Sequence, residues 1–540
     1  MEIVKGKIID IIGKKIFPGE ITIINGIIHS IRHSYKVPDV FILPGFIDSH
    51  AHIESSMLVP AEFAKAAVRH GTIATVSDPH EIANVLGIAG ITYMLENAKQ
   101  TPFKFYFGAP ACVPATIYET SGATIGLEET EYLLSKDEIK FLSEVMNYPD
   151  VISENITVLE KIRIAKKYGK VIDGHAPGLS GENLRKYIDV GISTDHECTS
   201  LDEAVEKLKN GMKILVREGS AAKNLDELAV LIDKYTDQIM LCTDDIHPDD
   251  LESGHINLIV KKCIGKGLNL FNILKTAIIN PALHYNIDPG LIKEGERCNF
   301  IIIDSLENFN VLSTYIDGKK VYDGEKLLFN ENRNTKINYF NARMPAEEEL
   351  KIQAVSNYVK LIEAKEGSLI TGKSIIHLAE QKGKLIADPA NNVLKIAVIN
   401  RYLQKSPVLG FIKGFGIKKG AIAGSISHDS HNIISIGSND IDLRTAITKI
   451  IQMQGGLVVV EGDKIDYLEL PVAGLMSDQD VFTVAKGYRN LLKRSKELGS
   501  QLSSAFMTMS FMALLVIPEL KIGDKGLFDV DKFQITSLYT

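Results

Sequence analysis

The sequence lacks several features that mark common classes of protein. Its 540 residues include only five cysteines and no Cys-x-x-Cys pair, which argues against a disulfide framework and a thiolate zinc site and favours a reducing cytoplasm. The net charge is −8, whereas a general nucleic-acid binder is usually basic. Residues 1–13 have no long apolar core of a signal peptide. The apolar stretch at 505–518 is shorter than the roughly 20 residues that span a bilayer. We therefore expect a cytoplasmic protein without nucleic-acid partners or membrane segments.

The chain is too long for one ordinary hydrophobic core, so two or three domains are expected. Residues 1–44 contain short β-branched runs at 8–12, 21–24 and 27–31, the last two separated by Asn25-Gly26. An Asn-Gly pair between apolar runs predicts a β-hairpin. The first part of the chain is therefore predicted to be a small β-element.

From residue 41 apolar runs alternate with segments of helical periodicity. The helical patterns lie at 62–70, 81–99, 156–168, 201–208 and 225–235. The candidate strands are 41–47, 72–77, 103–108, 139–145, 170–174, 191–194, 212–216 and 238–242. This alternation predicts a parallel sheet, and eight repeats indicate an α/β fold of the TIM-like (β/α)₈ barrel type. A doubly wound open sheet is the alternative.

Short strand patterns return after the barrel, at 300–304, 314–316 and 320–322. We therefore predict that both flanks form one small β-domain, from residues 1–43 and 291–335, around a barrel of residues 44–290. The polar segment 330–343 indicates a linker or a functional loop. Residues 346–540 are predicted to form an additional α+β domain. Its glycine-rich segment 410–424 lacks the GxxxxGK[ST] spacing of a phosphate loop.

The first candidate for chemistry is the pair His50 and His52, at the end of the first barrel strand. Residues two apart in an extended chain point to the same side, so both imidazoles can reach one ion. Further polar residues follow the later strands. They are Asp78, His80 and Glu81, then Glu144, His175, His196, Asp244 and Asp245. Since the carboxyl ends of barrel strands face one mouth, we expect these side chains to converge there.

Imidazoles and carboxylates suit Zn²⁺, Mn²⁺ or Fe²⁺. Two adjacent ions would hold a bridging hydroxide, because a metal-bound water loses its proton near neutral pH. An aspartate beside the ions, such as Asp244, can accept that proton and pass it to a leaving amine. The pattern therefore predicts a metal-dependent hydrolase.

Several runs resemble those of the bacterial and archaeal adenine deaminase family within the amidohydrolase superfamily. They are DSHAHIESS at 48–56, SDPHE at 77–81, SEVMN at 143–147, DGHAP at 173–177, TDHE at 194–197 and CTDD at 242–245. The runs SHDSHN at 427–432 and GGL at 455–457 resemble the C-terminal domain of that family. The resemblance implies conversion of adenine and water to hypoxanthine and ammonia in purine salvage, at a binuclear centre of Mn²⁺, with Fe²⁺ or Zn²⁺ as other candidates.

The resemblance also implies a role for each ligand. His50 and His52 would bind one metal together with Asp244, and His175 and His196 would bind the second. Glu144 would bridge the two metals, whereas many relatives in the superfamily use a carbamoylated lysine there. Asp244 would also carry the proton.

The substrate contacts are less determined by the sequence. Asp78, His80, Glu81 and Asp245 are the candidates for binding the purine, and either Glu81 or His80 could protonate the base near N1. Either residue could instead orient a metal ligand. Three C-terminal residues could form a metal site, close the active-site mouth or belong to a plain polar loop: His428, Asp429 and His431.

Two alternative functions remain open. A cyclic amidase such as a dihydroorotase or hydantoinase would share the hydroxide chemistry, but Glu144 in place of lysine disfavours it. A metal-free structural scaffold is disfavoured because all six predicted ligands are present. The HxE…PCxxC signature of the cytidine-type deaminases is absent, so a deaminase in this chain must use the barrel.

A homo-oligomer, a dimer or larger, is expected because most soluble oligomeric proteins are homo-oligomers.

Overall fold

A computed structural model describes residues 1–220, 222–288, 290–329 and 335–540. The predicted linker at 330–343 is thus described only from residue 335 onward, and residues 330–334 lie outside the described ranges. Within those ranges, no helix combines the length and the apolar character that crossing a bilayer requires.

Strands from both flanks of the barrel form one seven-stranded sheet. In spatial order they are Lys319–Tyr322, Val311–Ile316, Phe300–Ile303, Phe41–Pro44, Glu2–Asp10, Lys15–Ile24 and Ile27–His33. The flanks meet where Phe300–Ile303 pairs antiparallel with Phe41–Pro44. Asn25 and Gly26 both have positive φ, at 51° and 79°, as the predicted hairpin turn requires. The two flanks therefore share a sheet, while the exact limits of this domain and of the barrel stay predictions.

Eight parallel strands form the barrel. They are Phe46–Ala51, Thr72–Ser77, Lys104–Ala109, Ile139–Val145, Val171–Gly174, Thr194–Asp195, Lys213–Arg217 and Ile239–Cys242. The fifth and sixth strands meet where Ser193 N donates to Ile172 O at 3.0 Å. The eighth and first meet where Asp244 N donates to His50 O at 2.9 Å. The ring is therefore closed, which confirms the barrel and excludes the open sheet.

The predicted strand 41–47 is in fact two strands that belong to different sheets. Phe41–Pro44 lies in the small sheet and Phe46–Ala51 begins the barrel, with Gly45 between them. A side chain at Gly45 would lie 2.4 Å from Ile73, so only glycine fits the close approach. Periodicity did not reveal the change of sheet, because the apolar run is continuous across it.

Helices connect the barrel strands. Their bounds are Pro60–Ala67, His80–Leu86, Ile88–Ala98, Leu127–Leu134, Tyr148–Ile152, Ile156–Lys167, Gly181–Asp189, Leu201–Lys209, Leu225–Leu228, Leu231–Lys234, Pro248–Ser253, Ile256–Gly265, Leu270–Leu274 and Asn280–Tyr285, with a π-helical turn at Lys275–Ile279. Short 3₁₀ turns lie at Ile53–Ser56, Val68–His70 and Thr236–Gln238. The single helix predicted at 81–99 is broken at Gly87, whose φ of 59° and ψ of −138° suit only glycine.

The C-terminal part is built on an eight-stranded sheet. In spatial order its strands are Gly372–His377, Tyr358–Glu363, Val408–Lys413, Val393–Ile399, Ile433–Gly437, Ala421–Gly424, Gly456–Glu461 and Lys464–Glu469. Two three-stranded sheets accompany it, formed by Ile352–Gln353, Lys384–Leu385 and Glu380–Gln381 and by Leu520–Gly523, Gly526–Asp529 and Gln534–Thr536. Its helices are Asp440–Met453, Val481–Glu497 and Ala505–Ser510, with 3₁₀ turns at Glu347–Leu350, Pro389–Asn391 and Phe511–Ala513. The predicted α+β character is confirmed.

This part packs on the barrel at the mouth formed by the strand ends. Ser477 N donates to Met57 O at 2.7 Å, and Val59 N donates to Ser477 O at 3.2 Å. Met57 and Val59 follow the first barrel strand and lie five and seven residues after His52, beyond the 3₁₀ turn Ile53–Ser56. Buried apolar residues of both parts form one continuous core. The C-terminal part therefore reaches the place where the candidate ligands converge.

Candidate metal centre

His50, His52 and Asp244 meet at the junction of the first and eighth barrel strands. The two Nε2 atoms lie 3.2 Å apart, and Asp244 Oδ1 lies 3.5 Å from His50 Nε2 and 3.3 Å from His52 Nε2. All three side chains are buried. Neighbouring backbone bonds hold them there, since His52 N donates to Asp244 O at 3.3 Å.

The spacing of this trio fits a shared cation. A tetrahedral ion with bonds of about 2.1 Å separates its ligands by roughly 3.4 Å, close to the three distances between these atoms. Two imidazole nitrogens that face each other and one carboxylate oxygen are a suitable donor set for Zn²⁺, Mn²⁺ or Fe²⁺. The trio is therefore able to hold a divalent metal ion.

Glu144 connects this trio to a second group of ligands. Its Oε1 lies 3.4 Å from His52 Nε2. Its Oε2 lies 2.8 Å from His175 Nδ1 and 3.3 Å from His196 Nε2. The two oxygens of one buried carboxylate thus face different imidazole groups, which is the arrangement that a bridging ligand needs.

Buried charges around the ligands favour the ionised carboxylates. Burial by itself raises the pKa of Glu144, but the imidazoles of His175, His196 and His52 outweigh it and hold that pKa well below its usual range. Burial likewise raises the pKa of Asp244, and Arg217 and the nearby histidines bring it well below its usual range. Both carboxylates are therefore available as anionic ligands.

Sequence reasoning missed Arg217 and did not assign a role to Glu197. Arg217 forms a bidentate pair with Glu197, with Nη1–Oε1 at 2.6 Å and Nη2–Oε2 at 2.9 Å, and it also contacts Asp244 Oδ2. Glu197 Oε1 lies 3.6 Å from His175 Nδ1. Both residues lie at the carboxyl ends of barrel strands, so the rule that found the ligands could have found them.

Asp48 connects the first barrel strand to the residue that follows the eighth strand, next to the ligands. Its carboxylate accepts a hydrogen bond from Thr243 N at 3.0 Å and also contacts the Thr243 hydroxyl. His255 Nε2 lies 3.0 Å from its Oδ2. Because Asp48 is two residues before His50 and Thr243 is next to Asp244, these bonds fix the spacing of the first trio.

Asp78, His80 and Glu81 lie beside the ligands, at the end of the second barrel strand. Asp78 Oδ2 contacts His80 Nδ1 at 3.0 Å, and His80 Nδ1 lies 3.7 Å from Glu144 Oε1. Burial lowers the pKa of His80, but the charge and hydrogen bond of Asp78 raise it to about 10. Asp245, also predicted, accepts a hydrogen bond from Ser55 Oγ at 2.5 Å.

The C-terminal run at 427–432 enters the same site. His428 Nδ1 lies 2.9 Å from Glu81 Oε1, and His431 Nε2 lies 2.6 Å from Glu81 Oε2. Asp429 Oδ2 lies 4.0 Å from His80 Nε2. Burial by itself raises the pKa of Glu81, and the imidazoles of His428 and His431 bring it well below its usual range. The run is therefore part of the site and not a remote polar loop.

Apolar side chains of the C-terminal part complete the cleft over the ligands. The ring of Phe511 stacks on His428, with centroids 4.4 Å apart and planes inclined by 12°. The apolar residues of the C-terminal part that line the cleft are Leu369, Phe511, Leu514, Val516 and Ile517. Sequence reasoning missed these residues, because an apolar segment does not reveal whether its side chains pack in the core or line a cleft.

The structure thus brings all thirteen predicted site residues to one barrel mouth. The separate roles given to them stay predictions. Only the set as a whole, a cluster of histidines and carboxylates able to hold metal, is directly visible in the structure.

Comparisons with known proteins agree with this geometry. Residues 41–321 match the model of the amidohydrolase family, and residues 368–534 match that of the adenine deaminase C-terminal domain. The chain is 48% identical over its full length to an adenine deaminase of Methanosarcina barkeri, which is also covered completely. It is 50% identical to an adenine deaminase of Sulfurovum sp., with 98% of each chain covered. The chain belongs to the adenine deaminase family. Membership of this amidohydrolase group accounts for both the closed barrel and the additional C-terminal domain.

Proposed function

We propose that this protein hydrolyses adenine to hypoxanthine and ammonia. The observation that carries the proposal is the position of Glu144 between two groups of buried imidazoles at the mouth of the barrel. A metal-free scaffold would gain little stability from such a set of buried imidazoles and carboxylates, because burying charged groups is costly even when they are paired. The family comparison favours adenine over a cyclic amide as the substrate.

The proposed centre is binuclear, with Mn²⁺ as the working ion and Fe²⁺ or Zn²⁺ as other candidates. One ion would be held by His50, His52 and Asp244. The other ion would be held by His175 and His196, and Glu144 would bind both ions. Bound divalent ions would lower the pKa of a water molecule and so supply hydroxide at neutral pH.

Asp244 is the proposed proton carrier. Its Oδ2 is engaged by Arg217, while its Oδ1 faces His50 and His52 and the interior of the cleft. That oxygen can take the proton of the attacking water and deliver it to the departing amine, so that the amino group leaves C6 as ammonia. Arg217 and Glu197 would keep the carboxylate in this orientation.

His80 is the proposed donor to N1 of the base. Its Nδ1 is held by Asp78, which leaves Nε2 facing the cleft. Both oxygens of Glu81 are engaged by His428 and His431, so Glu81 is better placed to support this region than to give up a proton itself. A hydrogen bond to N1 withdraws electrons from C6 and favours attack by hydroxide.

The proposal extends to the setting of the reaction. Hydrolysis of a free base fits purine salvage, and five free, buried cysteines fit a reducing cytoplasm. We also propose that the protein is a homo-oligomer, which the sedimentation velocity of the purified chain tests directly.

The function is tested by loading the protein with Mn²⁺ and measuring ammonia release from adenine, adenosine and dihydroorotate. We expect release from adenine and none from dihydroorotate. Turnover of the cyclic amide without turnover of adenine would overturn the proposal. Metal analysis of the same sample should give two ions per chain, and a single ion in the fully active protein would contradict the binuclear centre.

A further inference from the structure

The two histidines proposed for the second ion follow short strands. His175 comes directly after the strand Val171–Gly174, and His196 comes directly after the two-residue strand Thr194–Asp195. His175 is also less buried than the other five proposed ligands, with 12% of its side chain exposed. Short strands contribute few ladder hydrogen bonds, so the distance between these two imidazoles depends on further contacts.

A buried carboxylate joins the two strand ends. Asp195 directly precedes His196 in the chain, and its side chain is fully buried. Its Oδ1 accepts a hydrogen bond at 2.8 Å from the backbone N–H of Ala176, which directly follows His175. One carboxylate therefore connects the neighbour of one ligand to the neighbour of the other.

Lys207 completes this connection from the helix Leu201–Lys209. Its Nζ lies 3.0 Å from Asp195 Oδ2, donates to Ala176 O at 2.6 Å and pairs with Glu203 Oε1 at 2.7 Å. Burial by itself raises the pKa of Asp195, and the charge of Lys207 brings that pKa below its usual range. Because a buried ion pair adds little net stability, its place between two ligands points to a role in positioning them.

Tyr187 makes a similar connection to the strand that carries Glu144. It belongs to the helix Gly181–Asp189, and its side chain is fully buried. Its hydroxyl accepts a hydrogen bond from His175 N at 3.0 Å and donates one to Val145 O at 2.6 Å. Since Val145 directly follows Glu144, one hydroxyl holds the backbone beside the proposed bridge and beside a ligand of the second ion.

We propose that Lys207 and Tyr187 are positioning residues that set the distances among the ligands of the second ion. Neither is among the described residues that line the cleft, so both act through the backbone beside the ligands. The inference rests on the proposed function, which gives that ion to His175 and His196. A metal site must hold its ligands within roughly 0.5 Å of the working geometry, so loss of either connection weakens the second ion. The first ion has separate support at Asp48 and is retained.

The test measures Mn²⁺ binding by Lys207→Met and Tyr187→Phe, by calorimetric titration of the metal-free protein and by metal content after dialysis. Loss of a group that orients a metal ligand typically costs about 10–100-fold in metal affinity. Lys207→Met removes an ion pair and a backbone contact, so the dissociation constant of the second ion should rise about 100-fold. Tyr187→Phe should raise it about 10-fold, and both should change that of the first ion less than about 3-fold. Because Tyr187→Phe keeps the ring, it tests the proposal even if Lys207→Met does not fold.

The position of the retained ion is a readout that a general loss of stability would not change. Anomalous diffraction at the manganese edge, from crystals of the Mn²⁺-loaded variants, should show full occupancy beside His50 and His52. Occupancy beside His175 and His196 should be reduced. Two fully occupied positions in both variants, or an equal loss at the two positions, would overturn the proposal.

The matched control is Lys395→Met, in the strand Val393–Ile399 of the C-terminal part. Lys395 is 3% exposed, donates to Leu350 O at 2.8 Å and contacts the carboxylate of Asp440. We expect this change to lower the melting temperature while both ions are retained. Selective loss of the second ion in this variant would also overturn the proposal, because any buried lysine would then have the same effect. A wild type that holds two ions but releases no ammonia from adenine would instead contradict the proposed function, since metal content does not depend on turnover.

Discussion

Glu144→Gln offers the sharpest test of the bridging role, because it removes one charge with almost no change in shape. Glu144 is buried, and its two oxygens face separate groups of imidazoles, with His52 on one side and His175 and His196 on the other. A hydrogen bond or contact to a charged group contributes roughly 1.5–3 kcal/mol. Loss of two such contacts gives about 3–6 kcal/mol, or a weakening of metal binding by roughly 10²–10⁴-fold.

The assay is metal content after dialysis, measured beside ammonia release from adenine. We expect Glu144→Gln to retain less than one ion per chain and to lose activity in parallel. Glu62→Gln is the matched control, since Glu62 is a buried carboxylate of the barrel part that pairs with Lys65 at 2.8 Å and not with a histidine. A Glu144→Gln variant with full metal content and full activity would refute the bridging role.

Two further predictions concern buried groups outside the ligand set. Burial lowers the pKa of Lys521 to about 7, so the unfolded state binds more protons than the folded state above that pH. Between pH 7 and 9 the free energy of unfolding of the wild type should therefore rise relative to that of Lys521→Met by about 1.4 kcal/mol per pH unit. The melting temperature of the wild type should rise relative to that of the variant over the same range, and a constant difference between the two would contradict this prediction. Burial raises the pKa of Glu119 to about 8, so the folded state holds a proton that the unfolded state releases. The wild type should lose stability relative to Glu119→Gln as the pH rises from 5 to 8, and parallel melting curves across that range would show that Glu119 is ionised when folded.

The barrel was predictable because its signals are local. Five of the eight predicted strands are apolar runs followed by a helical pattern, and the run 139–145 matches the observed strand Ile139–Val145. The predicted strand at 191–194 is reduced to Thr194–Asp195, and the helix at 225–235 is divided into Leu225–Leu228 and Leu231–Lys234. These differences arise because packing of neighbouring elements, and not periodicity, decides where a strand or helix ends.

The ligands were predictable for a similar reason. His50 and His52 follow a strand at a spacing that places them on one side, and the ends of parallel barrel strands must share a mouth. Arg217 obeys the same rule, but a lone arginine after a strand carries no distinctive spacing. Its role became visible only when Glu197 and Asp244 were found on either side of its guanidinium group.

The sequence by itself determined the barrel, the pair of flanking β-segments and the residues able to hold metal, because all of these follow from chain periodicity and residue chemistry. Only the tertiary structure showed where the run at 427–432 lies. Nearly 350 residues separate Glu81 from His428 and His431, yet their side chains are in contact, and Asp429 lies in the same cleft. No local pattern encodes such a contact, because it depends on how the C-terminal part packs against the barrel.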